Sequence, residues 1–130
     1  MVGWWGDRRR ISLRKVKEYL ADNSPLEGPF KVEKVLNNTF VVKYENGGVI
    51  FRFWSTNLMV KYPDGTIVLD TGGWVSFTTR GRLRYLSSAF LEKEGWEVSV
   101  EHLRSLGDGD THEFVDGMKI TPMGLVLYPE

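Results

Sequence analysis

The sequence predicts an α+β fold, a bent antiparallel β-sheet or partial barrel wound as a meander, with two α-helices packed on it. Three observations carry this. Two stretches, near Ser12–Asp22 and Arg80–Glu94, repeat apolar residues at helical spacing. From Phe30 onward the apolar period falls to two. The resulting strand-like runs are joined by short turns rather than by crossover segments, which favours antiparallel neighbours.

Taken in order, Ser12 can cap the first turn of a helix to Asp22, and Ile11 and Val16 have the spacing of a hydrophobic staple. Leu13, Val16 and Leu20, with Tyr19 beside them, form the apolar stripe. Pro25 ends it by biasing Ser24 away from helical backbone. Strands follow over Phe30–Leu36, with Asn37-Asn38 as a turn, and over Phe40–Tyr44. Asn46-Gly47 predicts a two-residue type I′ hairpin leading into Val49–Trp54. The stretch Thr56–Leu86 then reads strand, turn at Tyr62-Pro63-Asp64-Gly65-Thr66, strand, glycine pair Gly72-Gly73, strand, helix. Thr78-Thr79 offers the N-cap of the second helix, whose stripe is Leu83, Leu86, Phe90 and Leu91, and Gly95 fits its C-cap. Trp96–Val100 reads as a strand and Glu101–Asp110 as a loop with room for a helical turn. Three last strands are expected at His112–Val115, Met118–Thr121 and Leu125–Tyr128.

At 130 residues the chain is most simply one domain, with residues 1–10 as a mobile arm. It has no cysteine, which excludes disulfides, thiol nucleophiles and cysteine metal sites. No apolar run is long enough for a membrane span, so membrane partners are not expected and a cytoplasmic protein is the default. The lack of Gln and Cys among many Lys, Arg and Glu leans toward a thermophilic source. The net charge of zero hides a segregation: residues 1–91 carry 14 Lys and Arg against 8 Asp and Glu, and residues 92–130 carry 3 against 9. One end can therefore attract a polyanion, unless the acidic part neutralises the basic part within the fold.

The segment TNLMVKYPDGTIVLDTGGWVSFTTRGRLRYL, residues 56–86, resembles a widespread family of small proteins of tailed bacteriophages. Their shared core is a strand, PDG, a short strand ending in L-N/D-T/S-GGW, then TT, a basic residue and a short helix. Phe114–Ile120 resembles that family's closing F-x-DGM element. Here Asp70 stands where Asn is usual, Arg80 or Arg82 stands near the usual Lys, and residues 1–30 lie outside the pattern. The resemblance implies a phage origin, hence a host cytoplasm, and prescribes no activity.

For catalysis the residues offer little. His102 and His112 are the only imidazoles, and Asp108-Gly109-Asp110-Thr111-His112-Glu113 reads as an acidic turn rather than a calcium loop or another metal site. No nucleophile elbow, P-loop, dinucleotide fingerprint or zinc-protease motif is present. A non-enzymatic protein without cofactor or metal is therefore expected. A small hydrolase would instead require His102 or His112 to cluster with carboxylates in a cleft.

For binding the residues offer more. Trp74 and Phe77 on a strand, Thr78 and Thr79 at a helix start, and Arg80, Arg82 and Arg84 beside them can make an anion site with flat rings. Arg8, Arg9 and Arg10 can add phosphate contacts, with Trp4 and Trp5 as stacking or partner-anchoring rings. Each has a plainer alternative: Trp74 as core, the threonines as caps, the arginines as a solvated face paired with C-terminal carboxylates. The favoured reading is a phage accessory protein that binds nucleic acid through a basic and aromatic surface. The alternative is a host-takeover or anti-defence protein that binds and inhibits a host enzyme such as RNA polymerase or a defence nuclease. Oligomeric state is left open.

Overall fold

A strand that is apolar on both faces needs a layer on each side, and Thr39–Tyr44 is such a strand: five of its six residues are buried. The computed structural model, which describes residues 11–73 and 75–130, supplies both layers. The arm at residues 1–10 and Trp74 lie outside the described residues. Strands β1 (Phe30–Leu36), β2 (Thr39–Tyr44), β3 (Val49–Phe53), β4 (Thr56–Lys61) and β5 (Ile67–Leu69) form the expected meander. After β5 the chain leaves the sheet for helix α2 (Phe77–Leu86) and a small sheet of β6 (Trp96–Val98), β7 (His102–Ser105) and β8 (Thr111–Glu113). It returns as β9 (Met118–Ile120), which pairs with β5, and ends in β10 (Val126–Leu127). The large sheet runs β1-β2-β3-β4-β5-β9-β10, antiparallel throughout and bent, and it does not close into a barrel.

Helix α1 (Leu13–Asn23) covers one face. Ser12 caps it by accepting from the Lys15 N–H at 3.1 Å, and Val16 and Leu20 meet Phe40, Val42, Tyr44 and Ile50. Leu13 and Tyr19, placed on the stripe from sequence, are exposed at the margin. The Tyr19 ring lies under the guanidinium of Arg52, a buried cation that also donates to Asn57 at 2.7 Å. The opposite face holds the larger cluster: Val41, Phe51, Met59, Ile67 and Leu69 against Leu83, Leu86 and Leu91 of the helical layer and Val98 and Leu103 of the small sheet.

Several expectations are corrected. The strands form two sheets, because the segment after β5 folds back over the core instead of extending the meander. Glu101–Asp110 holds strand β7, in which Leu103 alone faces the core between polar neighbours. No strand separates the glycine pair from α2 among the described residues; Phe77 is already helical, and the cap is Ser76 rather than Thr78-Thr79. The predicted second helix is α-helical only to Leu86, then a π-turn over Ser87–Leu91 and a 3₁₀-turn to Glu94. That widening places the buried Ser87 hydroxyl against the backbone of Val98, whose N–H it accepts at 2.8 Å and whose carbonyl it donates to at 3.1 Å. The Asn46-Gly47 turn is not type I′, since only Gly47 has positive φ. It is a three-residue loop in which Gly47 N–H donates to the Tyr44 carbonyl and Tyr44 N–H to the Gly48 carbonyl. The Tyr62–Thr66 and Thr121–Leu125 turns repeat the same bonding with Gly65 and Gly124.

Candidate functional site

The site is built at the neck where the chain leaves the large sheet and comes back. Leu69 pairs with Met118, and Gly117 N–H donates to the Leu69 carbonyl at 2.8 Å. One carboxylate ties the two sides. Asp116 accepts from the Thr71 N–H at 2.7 Å, the Thr71 hydroxyl at 2.7 Å and the Gly73 N–H at 3.0 Å. Asp70 accepts from the Gly72 N–H at 2.5 Å, so two aspartates lock the Thr71-Gly72-Gly73 corner. Gly72 is required twice over: its φ is +69°, and a Cβ there would sit 2.8 Å from the Thr56 hydroxyl oxygen.

The corner aims α2. Ser76 accepts from the Thr79 N–H at 3.1 Å, and its oxygen lies 3.0 Å from that of Thr79. The N–H groups of Phe77 and Thr78 have no partner inside the helix. They open toward a cleft of about 890 Å³ walled by Asn37 and Asn38, by Trp54, Ser55 and Thr56, by Thr71 and Gly72, and by Ser76, Thr78, Thr79 and Arg82. Arg82 crosses one wall: its Nε donates to Thr39 Oγ1 at 2.7 Å, its Nη2 to the Asn37 carbonyl at 3.3 Å, and its guanidinium stacks 5.3 Å from the Phe53 ring. Partial burial lowers its pKa from the usual arginine value. Trp54 holds φ at +55° in the two-residue turn between β3 and β4, a backbone state rare for a large side chain. Its N–H donates to the Asn38 carbonyl at 2.9 Å, and Asn38 also has positive φ. Phe77, between the lining residues Ser76 and Thr78, is 91% exposed, and its neighbour Val75 is exposed as well.

Of the residues singled out from sequence, Thr78, Thr79 and Arg82 share this cleft. Arg80 and Arg84, one helical turn apart, line a separate groove of about 800 Å³ with Glu92, Glu97, Glu101, His102 and Arg104. There Arg80 pairs with Glu101 at 2.6 Å and Arg104 with Glu97 at 3.0 Å, so the groove is largely self-neutralised. The Arg80 hydrogen bond is the main cause that holds the Glu101 carboxyl below its usual range. Lys61–Glu94 at 2.7 Å, like Arg80–Glu101, joins the basic part of the chain to the acidic part. Trp4, Trp5, Arg8, Arg9, Arg10 and Trp74 lie outside the described residues. Ile11, the first described residue, donates its N–H to Asn38 Oδ1 of the cleft wall at 2.9 Å. His112 lies in a third hollow near Asp108 and Asp110, its ring centroid 6.4 Å from that of Trp96. Among the described residues no group of three His, Asp or Glu is placed to hold a metal, and no helix is long and apolar enough to cross a membrane.

Sequence reasoning missed Trp54 and Asp116. Nothing in Phe53-Trp54-Ser55-Thr56 signals a turn, because the glycine such a turn favours is absent. Asp116 meets its partners across 43 to 45 residues of sequence, although Asp-Gly at 116–117 and Gly-Gly at 72–73 mark both ends.

A phage-type corner motif on an α+β scaffold defines the class, and comparison with protein families agrees. Residues 9–121 match the Kyanoviridae Gp96 protein family, a family of phage proteins. The chain belongs to that family, and the match takes in α1, outside the two motif segments. No curated protein and no solved structure matches it.

Proposed function

We propose that this phage protein is a non-enzymatic accessory protein that binds nucleic acid, acts in the host cytoplasm, and holds its ligand in the cleft at the start of α2. One observation carries the reading: a guanidinium, two helix N–H groups without an intrahelical partner, several hydroxyls and the Trp54 ring share one concave surface. Helix N-termini and guanidinium groups favour phosphate, and rings beside them favour bases. The arginines do not act as one strip: Arg82 serves the cleft, while Arg80 is held by Glu101. The test is fluorescence anisotropy with a labelled oligonucleotide across a salt series. Binding should weaken steeply with salt. Thr78→Glu should preserve or raise stability, since a carboxylate suits the first turn. The same change should weaken binding and reduce the salt slope by about 1. Salt-independent binding, or a Thr78→Glu protein that binds as well as the parent, would count against the cleft.

A second reading, a host-takeover or anti-defence protein that binds and inhibits a host enzyme, is favoured by a different surface. Met123, Leu125 and Leu127 stand exposed along β10, the free edge of the large sheet. Exposed apolar sheet edges recruit partner strands. Trp4 and Trp5 would serve that reading as anchors. Leu125→Glu should abolish capture of a host protein and leave oligonucleotide binding intact.

A further inference from the structure

The cleft joins an anion-accepting wall to an aromatic ring that the fold itself does not use. In α2, Leu83 and Leu86 are fully buried, whereas Phe77 is almost wholly exposed. Leaving so large an apolar side chain in water gains nothing for folding. Phe77 directly precedes Thr78 and follows Ser76, both of which line the cleft, and Val75 extends the apolar spot. A flat apolar ring within a residue of phosphate-suited N–H and hydroxyl groups matches one nucleotide unit, a base and its phosphate.

We infer that the ligand is single-stranded and that the Phe77 ring carries one of its bases; this rests on the nucleic-acid reading above. The concavity decides against a duplex. Duplex readers push a helix or a two-stranded ribbon outward into a groove. Here the start of α2 sits between the Asn37-Asn38 and Trp54-Ser55 turns, which share its cleft. In a duplex the bases are already stacked and paired, so the ring would meet only sugar and phosphate. A single strand can turn a base onto Phe77 while its phosphate enters the cleft beside Arg82.

The experiment compares three labelled probes of one length at low salt: oligothymidine, an abasic strand and a duplex. Each is titrated into the parent protein and into Phe77→Ala, Phe77→Leu and Phe77→Tyr. The residue is exposed, so all four proteins should melt alike. Stacking of one base predicts that Phe77→Ala weakens oligothymidine binding by about 5- to 150-fold. Phe77→Tyr should retain binding, and Phe77→Leu should lose it, because an apolar but non-planar side chain cannot stack. The abasic strand should bind weakly and ignore all three changes. Abasic or duplex binding as tight as oligothymidine, or affinity untouched by Phe77→Ala, overturns the inference while leaving nucleic-acid binding in place. An equal Phe77→Leu protein overturns it in favour of an apolar protein contact. If none of the probes binds, both this inference and the proposed function fall.

Discussion

Removing the Asp116 carboxylate should loosen the neck from which the whole segment 70–117 is hung. In Asp116→Ala, the Thr71 N–H, on a residue only 4% exposed, loses its acceptor at 2.7 Å. A buried donor left unmet costs about 1–3 kcal/mol, and a hydrogen bond to a charged group contributes about 1.5–3 kcal/mol. The Gly73 N–H is exposed, so water can replace that bond, and the Thr71 hydroxyl can rotate to another acceptor. The net loss is then about 3 kcal/mol, or about 12 °C in melting temperature for a chain of this size. Asp116→Asn keeps one acceptor oxygen and should lose about half as much. Circular dichroism melts at neutral pH measure both. Thr71→Val completes a double-mutant cycle, with an expected coupling of about 1 kcal/mol between the two side chains. A melting temperature that falls by less than about 3 °C, or a cycle that is simply additive, would refute the clamp.

Two further predictions follow from the same geometry. Gly72→Ala should cost about 2–3 kcal/mol, combining the positive φ with the clash on Thr56, whereas Gly73→Ala should cost about 1–2 kcal/mol from φ alone, because no atom lies near its Cβ position. Thr56→Ala should rescue part of the first and none of the second, which thermal melts of the four proteins will check. Acid should weaken the fold. The Arg80 hydrogen bond holds Glu101 below its usual 4.5, and backbone N–H groups of Thr66 and Asp110 hold Asp64 and Asp108 below 3.8. A depressed carboxyl stabilises the fold above its unfolded value and loses that contribution as pH falls through the folded one. Melting temperature should therefore drop as pH goes below 4.5, less so in Glu101→Gln; a rise on acidification would contradict this.

The sequence announced local features well. Ser12, Val16 and Leu20 predict α1 because cap and stripe are both short-range. Pro63-Asp64-Gly65 predicts its turn because each residue has its own reason to be there, and Asp64 does accept from the Thr66 N–H at 2.8 Å. What was lost is long-range or weakly patterned. Strand β7 escaped notice because only Leu103 interrupts its polar residues. The split of the arginines was legible and overlooked: Arg80 and Arg84 lie one turn apart, and Arg82 projects about 160° away from that line. Neither the Asp116 clamp nor the positive φ of Trp54 leaves a short-range trace, since both exist only once distant hairpins meet.

The most direct test of the cleft as a nucleic-acid site is an amide and side-chain NMR titration with oligothymidine. The account predicts the largest shifts at the Phe77 and Thr78 amides, the Arg82 Nε–H and the Trp54 indole N–H. Shifts confined to residues 123–128 at the β10 edge, or none at all, would contradict it.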